Sequence, residues 1–134
     1  MTGRKKGKAL KKDRNGTRQS RAAKEDTTPD GNRLDDEGLQ CAAFLAKSLS
    51  DVNRLKILLL VSGGRKSVSA IVEELDLSQP LVSHHVKELK RSLLVRVERE
   101  GPFIYHELAD RRILHILRAL SDMATDLLSA RKTF

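Results

Sequence analysis

The 134-residue sequence has few aromatic residues, a single cysteine and no long apolar stretch. Because Cys41 has no partner within the chain, an internal disulfide is excluded and a reducing compartment such as the cytoplasm is expected. No run of 18 apolar residues is present, and the basic start of the sequence lacks the apolar segment of a secretion signal. We therefore expect neither a membrane span nor export. The aromatic fraction of 3% leaves Leu, Val, Ile and Ala to build the core, which suits a small helical domain.

The net charge of +8 is concentrated at the start of the chain. Residues 1–33 hold eleven lysines or arginines against four acidic residues, whereas the remainder has a net charge of only +1. This stretch has almost no apolar periodicity, so we predict a disordered basic tail over 1–33 and a folded domain over 34–130. The tail either follows DNA phosphates, or is a solubilising extension, or precedes the true start of the protein; the sequence leaves these alternatives open.

Apolar residues at helical spacing predict three helices in the first half of the folded domain. Acidic residues at 35–37 favour a helix N-terminus, and leucines and alanines follow them at the spacing of one face. Ser50 is expected to cap a second helix, which two glycines end. Ser67 is expected to cap a third helix over 68–75.

The fourth helix has one apolar side and one side of short hydrogen-bonding groups. The apolar side predicts a buried face and comprises Val82, Val86, Leu89 and Leu93. The opposite side carries Gln79, Ser83, His84, Lys87 and Lys90. Surface helices usually expose long charged side chains, but here an amide, a hydroxyl and an imidazole can bond to base edges and phosphates at short range. These features predict a DNA recognition helix.

A tight turn precedes this helix and a hairpin follows it. Only 76–78 separate it from the third helix, with Ser78 as a suitable N-cap and Pro80 in the first turn. Two short helices joined in this way make a helix-turn-helix. Strands at 95–99 and 103–108 predict a hairpin, and a hairpin after a recognition helix is a wing. The expected fold is mainly α with a small β-hairpin, a winged helix-turn-helix of order ααααββα.

A last helix is predicted from about residue 110 to about residue 130, with a long apolar stripe. The stripe either packs only against the core of its own chain or forms a dimer interface together with the first helix. The residues predicted for that interface are Leu39, Ala42, Ile113, Ile116, Leu117, Leu120, Met123 and Leu127.

Three segments of the sequence resemble the ArsR/SmtB family of winged-helix repressors. The segments are residues 47–58, 77–89 and 95–105. The likeness covers roughly residues 39–128, and its most specific part is the run Leu-Ser-Gln-Pro-x-Val-Ser-His-His that begins at Leu77. Val52 and Asp76 depart from the family pattern, which usually has Pro and Gly there. The resemblance implies a homodimer that represses a promoter by binding an inverted-repeat operator in double-stranded DNA and leaves it on a signal.

The base-reading positions that the resemblance implies lie on the polar side of the fourth helix. They are Gln79, Pro80, Ser83 and His84. Gln79 suits an adenine edge, whereas Pro80 offers only apolar contact. The basic residues predicted to contact DNA are Lys87, Lys90, Arg96 and Arg99. Arg99, near the wing tip, is the preferred minor-groove probe, and His85 is expected to be a half-buried structural histidine.

The metal sites of the family are incomplete in this sequence. A thiolate site would need cysteines in 68–75, and none is present. An imidazole-carboxylate site on the last helix keeps Asp110 but has Arg112, Met123 and Asp126 at the remaining ligand positions. Two carboxylates without a nitrogen or sulfur ligand make a poor zinc site. We therefore predict no metal and no cofactor, with Asp110 and Asp126 as weak candidates.

Two other interpretations concern regulation and function class. Cys41 is a candidate redox sensor near the predicted interface, although the role of a small buried apolar residue is favoured.

A non-specific architectural DNA-binding protein is the alternative function. Its affinity for DNA would come from residues 1–33 and would depend steeply on salt. Catalysis is not expected, because the sequence has no Gly-rich phosphate loop, no HExxH motif and no nucleophile with an ordered base.

Overall fold

The computed structural model describes residues 34–131, which form five helices and one two-stranded antiparallel sheet. The elements are α1 (Asp36–Ser48), α2 (Val52–Ser62), α3 (Val68–Leu75), α4 (Gln79–Arg91), β1 (Val95–Glu100), β2 (Phe103–Leu108) and α5 (Arg112–Arg131). This order confirms the predicted winged helix-turn-helix. The tail predicted over 1–33 lies outside the described residues. Within those residues, no helix combines the length and apolar character needed to cross a membrane.

Aspartates cap the first two helices. Asp35 accepts a hydrogen bond from the first turn of α1 at 2.8 Å, and Asp51 accepts one from the Arg54 backbone N–H at 3.0 Å. The prediction that Ser50 caps α2 is wrong by one position. The Ser50 hydroxyl instead donates to the carbonyl of Lys47 at 2.7 Å, at the end of α1. A carboxylate therefore caps α2, where its negative charge also interacts favourably with the helix dipole.

Replacing Asp51 by alanine is expected to lower the free energy of unfolding by about 1 kcal/mol, because an N–H group at the start of α2 loses its acceptor. Urea denaturation at a fixed protein concentration measures this difference. Ser50→Ala is the matched control and should cost less than half as much. A larger loss for Ser50→Ala would contradict the assignment of the cap.

The turn between α3 and α4 depends on one left-handed residue. Ser67 caps α3 by accepting a hydrogen bond from the Ala70 backbone N–H at 3.2 Å, as predicted. Asp76 follows α3 with φ of 52° and ψ of 48°, a conformation that Asp tolerates better than most residues. Ser78 occupies the N-cap position of α4, but its hydroxyl accepts no hydrogen bond from the first turn, which contains Pro80. Asp76 thus sets the change of direction between the two helices.

The end of α4 differs from the prediction at Leu93. The helix ends at Arg91, and Leu93 has a φ of 62° and is 78% exposed instead of lying on the buried face. The backbone N–H of Leu94 donates to the carbonyl of Leu89 at 3.0 Å, and that of Leu93 to Lys90 at 3.1 Å. These two bonds form a Schellman motif, which reverses the chain and buries Leu94 in place of Leu93.

The wing is a hairpin fastened to the loop that precedes α3. β1 extends to Glu100, one residue further than predicted, and a loop of Gly101 and Pro102 joins it to β2. Gly101 has a φ of 61°, and a positive φ at this position matches the twist of the two strands. The backbone N–H groups of Lys66 and His106 donate to each other's carbonyls at 2.9 and 2.7 Å. The hairpin is therefore held at its base.

The core lies between α2, α3, α4 and the hairpin. Its most deeply buried side chains are Ile57, Leu58, Val61, Ile71, Val82 and Leu89. None of residues 36–48 in α1 is buried, and Ile113 is the only buried residue of α5. Ile113, which we predicted for the interface between protomers, is 7% exposed and packs in this core, because it lies in the first turn of α5. The two terminal helices otherwise lie outside the core.

Candidate nucleic-acid interface

The exposed face of α4 carries short polar side chains and lysines. The exposed residues include Gln79, Pro80, Ser83, His84, Lys87 and Lys90. The buried residues are Val82, His85, Val86 and Leu89. Apart from Leu93, the division follows the predicted helical spacing, since residues three and four positions apart share a face. A helix of this kind fits the major groove, where amide, hydroxyl and imidazole groups can bond to base edges.

A cleft of about 590 Å³ separates α4 from the wing. Its polar lining includes Ser67, Ser69, Ser83, Lys87, Lys90, Arg99 and His106. The cleft thus brings together three of the cations predicted to contact DNA, although Arg99 is nine positions from Lys90 in the sequence. A concave surface with three positive charges has the electrostatic character that attracts a phosphate backbone.

His84 lies on the other flank of α4. It lines a second cleft of about 440 Å³ together with Lys47, Arg54, Glu88 and Arg91. Within that cleft, Arg54 donates from Nε to the carbonyl of Ser48 at 2.5 Å and thereby supports the end of α1. Gln79 and Pro80 occupy the first turn of α4, the part of a recognition helix that contacts base edges in helix-turn-helix proteins.

Arg96 lies apart from the other predicted DNA-binding residues. Side chains alternate between the two faces of a strand, so Arg96 and Arg99, three positions apart, point to opposite faces of the hairpin. Arg99 lines the cleft, whereas Arg96 forms an ion pair with Glu107 on the neighbouring strand at 3.4 Å. The structure therefore does not bring Arg96 to the cleft beside α4.

Sequence reasoning missed two exposed polar residues near the predicted interface. Arg91 lies in the last turn of α4, four positions after Lys87, and its guanidinium is 3.2 Å from Glu88. Helical spacing could have found it, because residues four apart share a face. Ser69 lines the cleft from the start of α3. No local signal marks Ser69, because its position beside α4 depends on how the two helices pack.

His85 links α4 to the start of α2. It is 5% exposed, which is more buried than the half-buried position we predicted. Its Nδ1 lies 3.8 Å from Asp51 Oδ1 and has no hydrogen-bond partner among residues 34–131. The hydrogen bond from the Arg54 backbone N–H lowers the pKa of Asp51, and the nearby His85 adds to this effect. The carboxylate that caps α2 therefore also faces the recognition helix.

His106 contributes to the cleft and is 6% exposed. Its Nδ1 lies 3.4 Å from the carbonyl oxygen of Lys66. Burial lowers the pKa of His106 below its usual value of 6.5, because the charged imidazole would lose its water, and the positive charge of Lys90 acts in the same direction. The Lys66 carbonyl opposes both effects. The fold thus favours the neutral imidazole.

Because the pKa of His106 is lowered in the folded chain, we predict that the free energy of unfolding falls on acidification. As the pH drops through about 6.5, the unfolded chain takes up a proton that the folded chain binds only at lower pH. We expect a lower Tm at about pH 5.5 than at about pH 7.5, and a smaller difference in His106→Gln. Calorimetry measures both, and His115→Gln on α5 controls for the loss of a histidine as such. An unchanged pH dependence in His106→Gln would contradict this assignment.

The sequence matches a family model described as bacterial regulatory protein, arsR family, over residues 51–97. The uncharacterized HTH-type transcriptional regulator MJ1325 of Methanocaldococcus jannaschii is 33% identical over 88 residues, which cover 65% of this chain and 99% of that protein. The chain belongs to the ArsR family. It is accordingly a DNA-binding transcriptional regulator and not an enzyme, as the sequence predicted.

Two further proteins support the assignment to the ArsR family. The transcriptional repressor SdpR of Bacillus subtilis is 40% identical over 62 residues, which cover 46% of this chain and 69% of that protein. The homodimeric winged helix-turn-helix DNA-binding domain Mb0332 from Mycobacterium bovis matches with a TM-score of 0.60 and 26% identity, covering 70% of this chain and 89% of that one. Both the fold and the family resemblance predicted from the sequence are confirmed.

Arg112 engages Asp110, one of the two carboxylates at the metal-ligand positions that the family resemblance implies. Arg112 donates from Nε and Nη2 to Asp110 Oδ2 at 2.9 and 2.6 Å, and from its backbone N–H to Oδ1 at 2.8 Å. The side-chain hydrogen bonds lower the pKa of Asp110 to about 2. Asp126 is exposed on α5. Within residues 34–131, no cluster of three or more His, Cys, Asp or Glu residues could hold a metal ion. That no metal or cofactor binds stays a prediction.

Cys41 is exposed in the single protomer, because α1 lies outside the core. Cys41 is therefore not the small buried residue that we favoured, at least within one protomer. Cys41 lines an apolar groove of about 700 Å³ between α1, the end of α4 and the start of α5. The apolar residues beside it include Phe44, Leu45, Leu93, Leu94, Ile113 and Ile116. A redox role for the thiol stays a prediction.

Most residues predicted for the dimer interface are exposed on the two terminal helices. They are Leu39, Ala42, Ile116, Leu120, Met123 and Leu127. Leu117 is partly buried and packs against the core together with Ile113. The single protomer therefore leaves a long apolar surface uncovered, and such surfaces mark sites of association.

Proposed function

We propose that this ArsR-family chain is a homodimeric repressor that recognises specific operators through α4 and the wing. The observation that carries the proposal is the short polar face of α4 beside a basic cleft. In this proposal, Gln79, Ser83 and His84 contact bases, and Pro80 packs against an apolar base edge. Lys87, Lys90 and Arg99 bind phosphates or the minor groove, whereas Arg96 contacts DNA only from the far face of the wing.

The proposed dimer forms through α1 and α5. Their exposed apolar residues support it, and the structurally similar domain from Mycobacterium bovis is described as homodimeric. Two recognition helices related by a two-fold axis would sit about 34–36 Å apart, one turn of B-DNA. The operator is therefore proposed to be an inverted repeat in double-stranded DNA, bound in the cytoplasm. Because Arg112 and Met123 occupy family ligand positions, zinc is not proposed as the signal.

Footprinting on the DNA upstream of the chain's own gene tests this proposal. We expect protection of an inverted repeat, kept after deletion of residues 1–33 and unaffected by zinc. The experiment is repeated with oxidants and thiols to examine Cys41. Equal affinity for all duplexes, with a salt dependence carried by residues 1–33, would instead identify a non-specific architectural protein. Loss of protection on addition of zinc would contradict the proposal that α5 does not bind zinc as the signal.

A further inference from the structure

The wing carries more acidic than basic side chains. β1 and β2 together hold two arginines and three glutamates, so the hairpin has an excess of negative charge. Glu98 and Glu100 lie within three residues of Gly101 at the tip, the part that approaches DNA in a winged helix. Uncompensated carboxylates there would be repelled by phosphates, because DNA carries one negative charge per about 1.7 Å of its axis. The wing therefore needs a positive partner from elsewhere in the fold.

Arg65, in the loop between α2 and α3, is that partner. Its Nη1 lies 2.9 Å from Glu98 Oε2, and its Nη2 lies 2.6 Å from Glu100 Oε2. The guanidinium carbon also lies 4.7 Å from the centre of the Tyr105 ring, on the same face of the hairpin. One side chain thus binds two carboxylates through separate nitrogens and lies over an aromatic ring, an arrangement that the planar, forked guanidinium suits better than an ammonium does.

The backbone next to Arg65 is fixed to the same hairpin. Lys66 exchanges two backbone hydrogen bonds with His106, and its Nζ lies 2.6 Å from Glu74 Oε1 on α3. Arg65 therefore extends from a support that is attached both to the helix-turn-helix and to the wing. Its contacts lie on the face of the hairpin opposite Arg99, because Glu98 and Arg99 are adjacent in β1.

We propose that Arg65 is a positioning residue for DNA binding, which acts through Glu98 and Glu100 without touching DNA. It cancels the charge of the two carboxylates and holds them on the outer face of the wing, which leaves Arg99 on the cleft side facing the phosphates. The proposal rests on the proposed function, because it assigns the wing to DNA. It distinguishes Arg65 from Arg96, which makes only a single ion pair of 3.4 Å.

Three variants test this assignment by titration of a labelled operator at low salt. Arg65→Ala should weaken binding about threefold per wing and about tenfold per dimer, the scale of exposed ion pairs. Arg118→Ala removes the same charge from α5 and should change affinity less than about twofold. Adding Glu98→Gln and Glu100→Gln to Arg65→Ala should restore affinity to within about threefold of the wild type, because no carboxylates then remain to be neutralised at the tip.

A second measurement monitors the contact between Arg65 and the Tyr105 ring in the absence of DNA. Tyr105 is the only tyrosine, and the chain has no tryptophan, so tyrosine fluorescence reports on this ring alone. Acrylamide should quench it more strongly in Arg65→Ala than in the wild type. Arg65→Lys keeps the charge without the planar fork, and should restore part of the affinity but not the protection from quenching.

Three results would overturn the proposal. The first is equal DNA affinity for Arg65→Ala and Arg118→Ala. The second is a loss in Arg65→Ala that the glutamine substitutions do not reverse, which would mean that Arg65 itself contacts DNA. The third is unchanged quenching of Tyr105. If instead the wild-type protein binds no duplex, the proposed function fails and the role of Arg65 fails with it, whereas each of the three results above concerns Arg65 alone. Circular dichroism of each variant confirms that it is folded.

Discussion

Replacing Leu120 by glutamate is expected to dissociate the dimer and to lower the affinity for an operator at least about a hundredfold. Leu120 lies midway along α5 and is 45% exposed in a single protomer. On association a carboxylate there would lose its water without gaining a partner, whereas in the monomer it stays solvated. Dissociation also removes the avidity of two linked half-site contacts. Sedimentation at micromolar concentration and operator titration measure the two effects.

The matched control is His115→Glu, which places the same charge on α5 at an exposed position away from the apolar stripe. It should remain a dimer. Leu120→Glu should stay folded by circular dichroism, because the core is formed by α2, α3, α4 and the hairpin. A persistent dimer in Leu120→Glu, or a wild-type monomer at micromolar concentration, would rule out the interface on α5.

Gln79→Ala is expected to lower discrimination at one base pair of each half-site by about 1–3 kcal/mol. Gln79 is the first residue of α4 and is exposed, so its amide is free to pair with a base edge. An amide can donate to and accept from adenine simultaneously, and alanine replaces neither bond. Titrations of an operator and of variants substituted at single base pairs locate the position that loses discrimination.

Lys87→Ala is the comparison for Gln79→Ala. A phosphate contact has no sequence preference, so this variant should weaken binding to all duplexes similarly and reduce the salt slope by about 1 per contact. The assignment of Gln79 would fail if Gln79→Ala lost affinity uniformly across sequences while Lys87→Ala changed the preferred base.

Much of the fold was predictable because its signals are local. Apolar spacing located the helices, and alternation located the hairpin, since each pattern depends on neighbours within one or two turns. The errors in helix bounds occurred where a helix begins or ends. Periodicity extends α4 through Leu93, but the Schellman motif buries Leu94 instead. Both Ser50 and Asp51 are good N-caps, and the sequence interpretation chose Ser50, whereas Asp51 makes the capping hydrogen bond.

The candidate site was predictable only where one element supplies it. The polar face of α4 followed from helical spacing, so Ser83 and Lys87 were found. The separation of Arg96 from Arg99 was implicit in strand alternation, but the sequence interpretation predicted both to contact DNA without using it. The ion pairs of Arg65 with Glu98 and Glu100 join residues 33 and 35 positions apart, and no local pattern marks them. Such contacts depend on tertiary packing.

Because none of α1 and only Ile113 of α5 is buried in the core, we expect folding and assembly of this regulator to be separate equilibria. By mass action, the amount of dimer rises with the square of the monomer concentration while monomers predominate. Operator occupancy would then respond more steeply than in proportion to the rate of synthesis. The surface left uncovered by the fold would thus set a concentration threshold for repression, adjustable by single substitutions on α5 that leave the contacts to DNA unchanged.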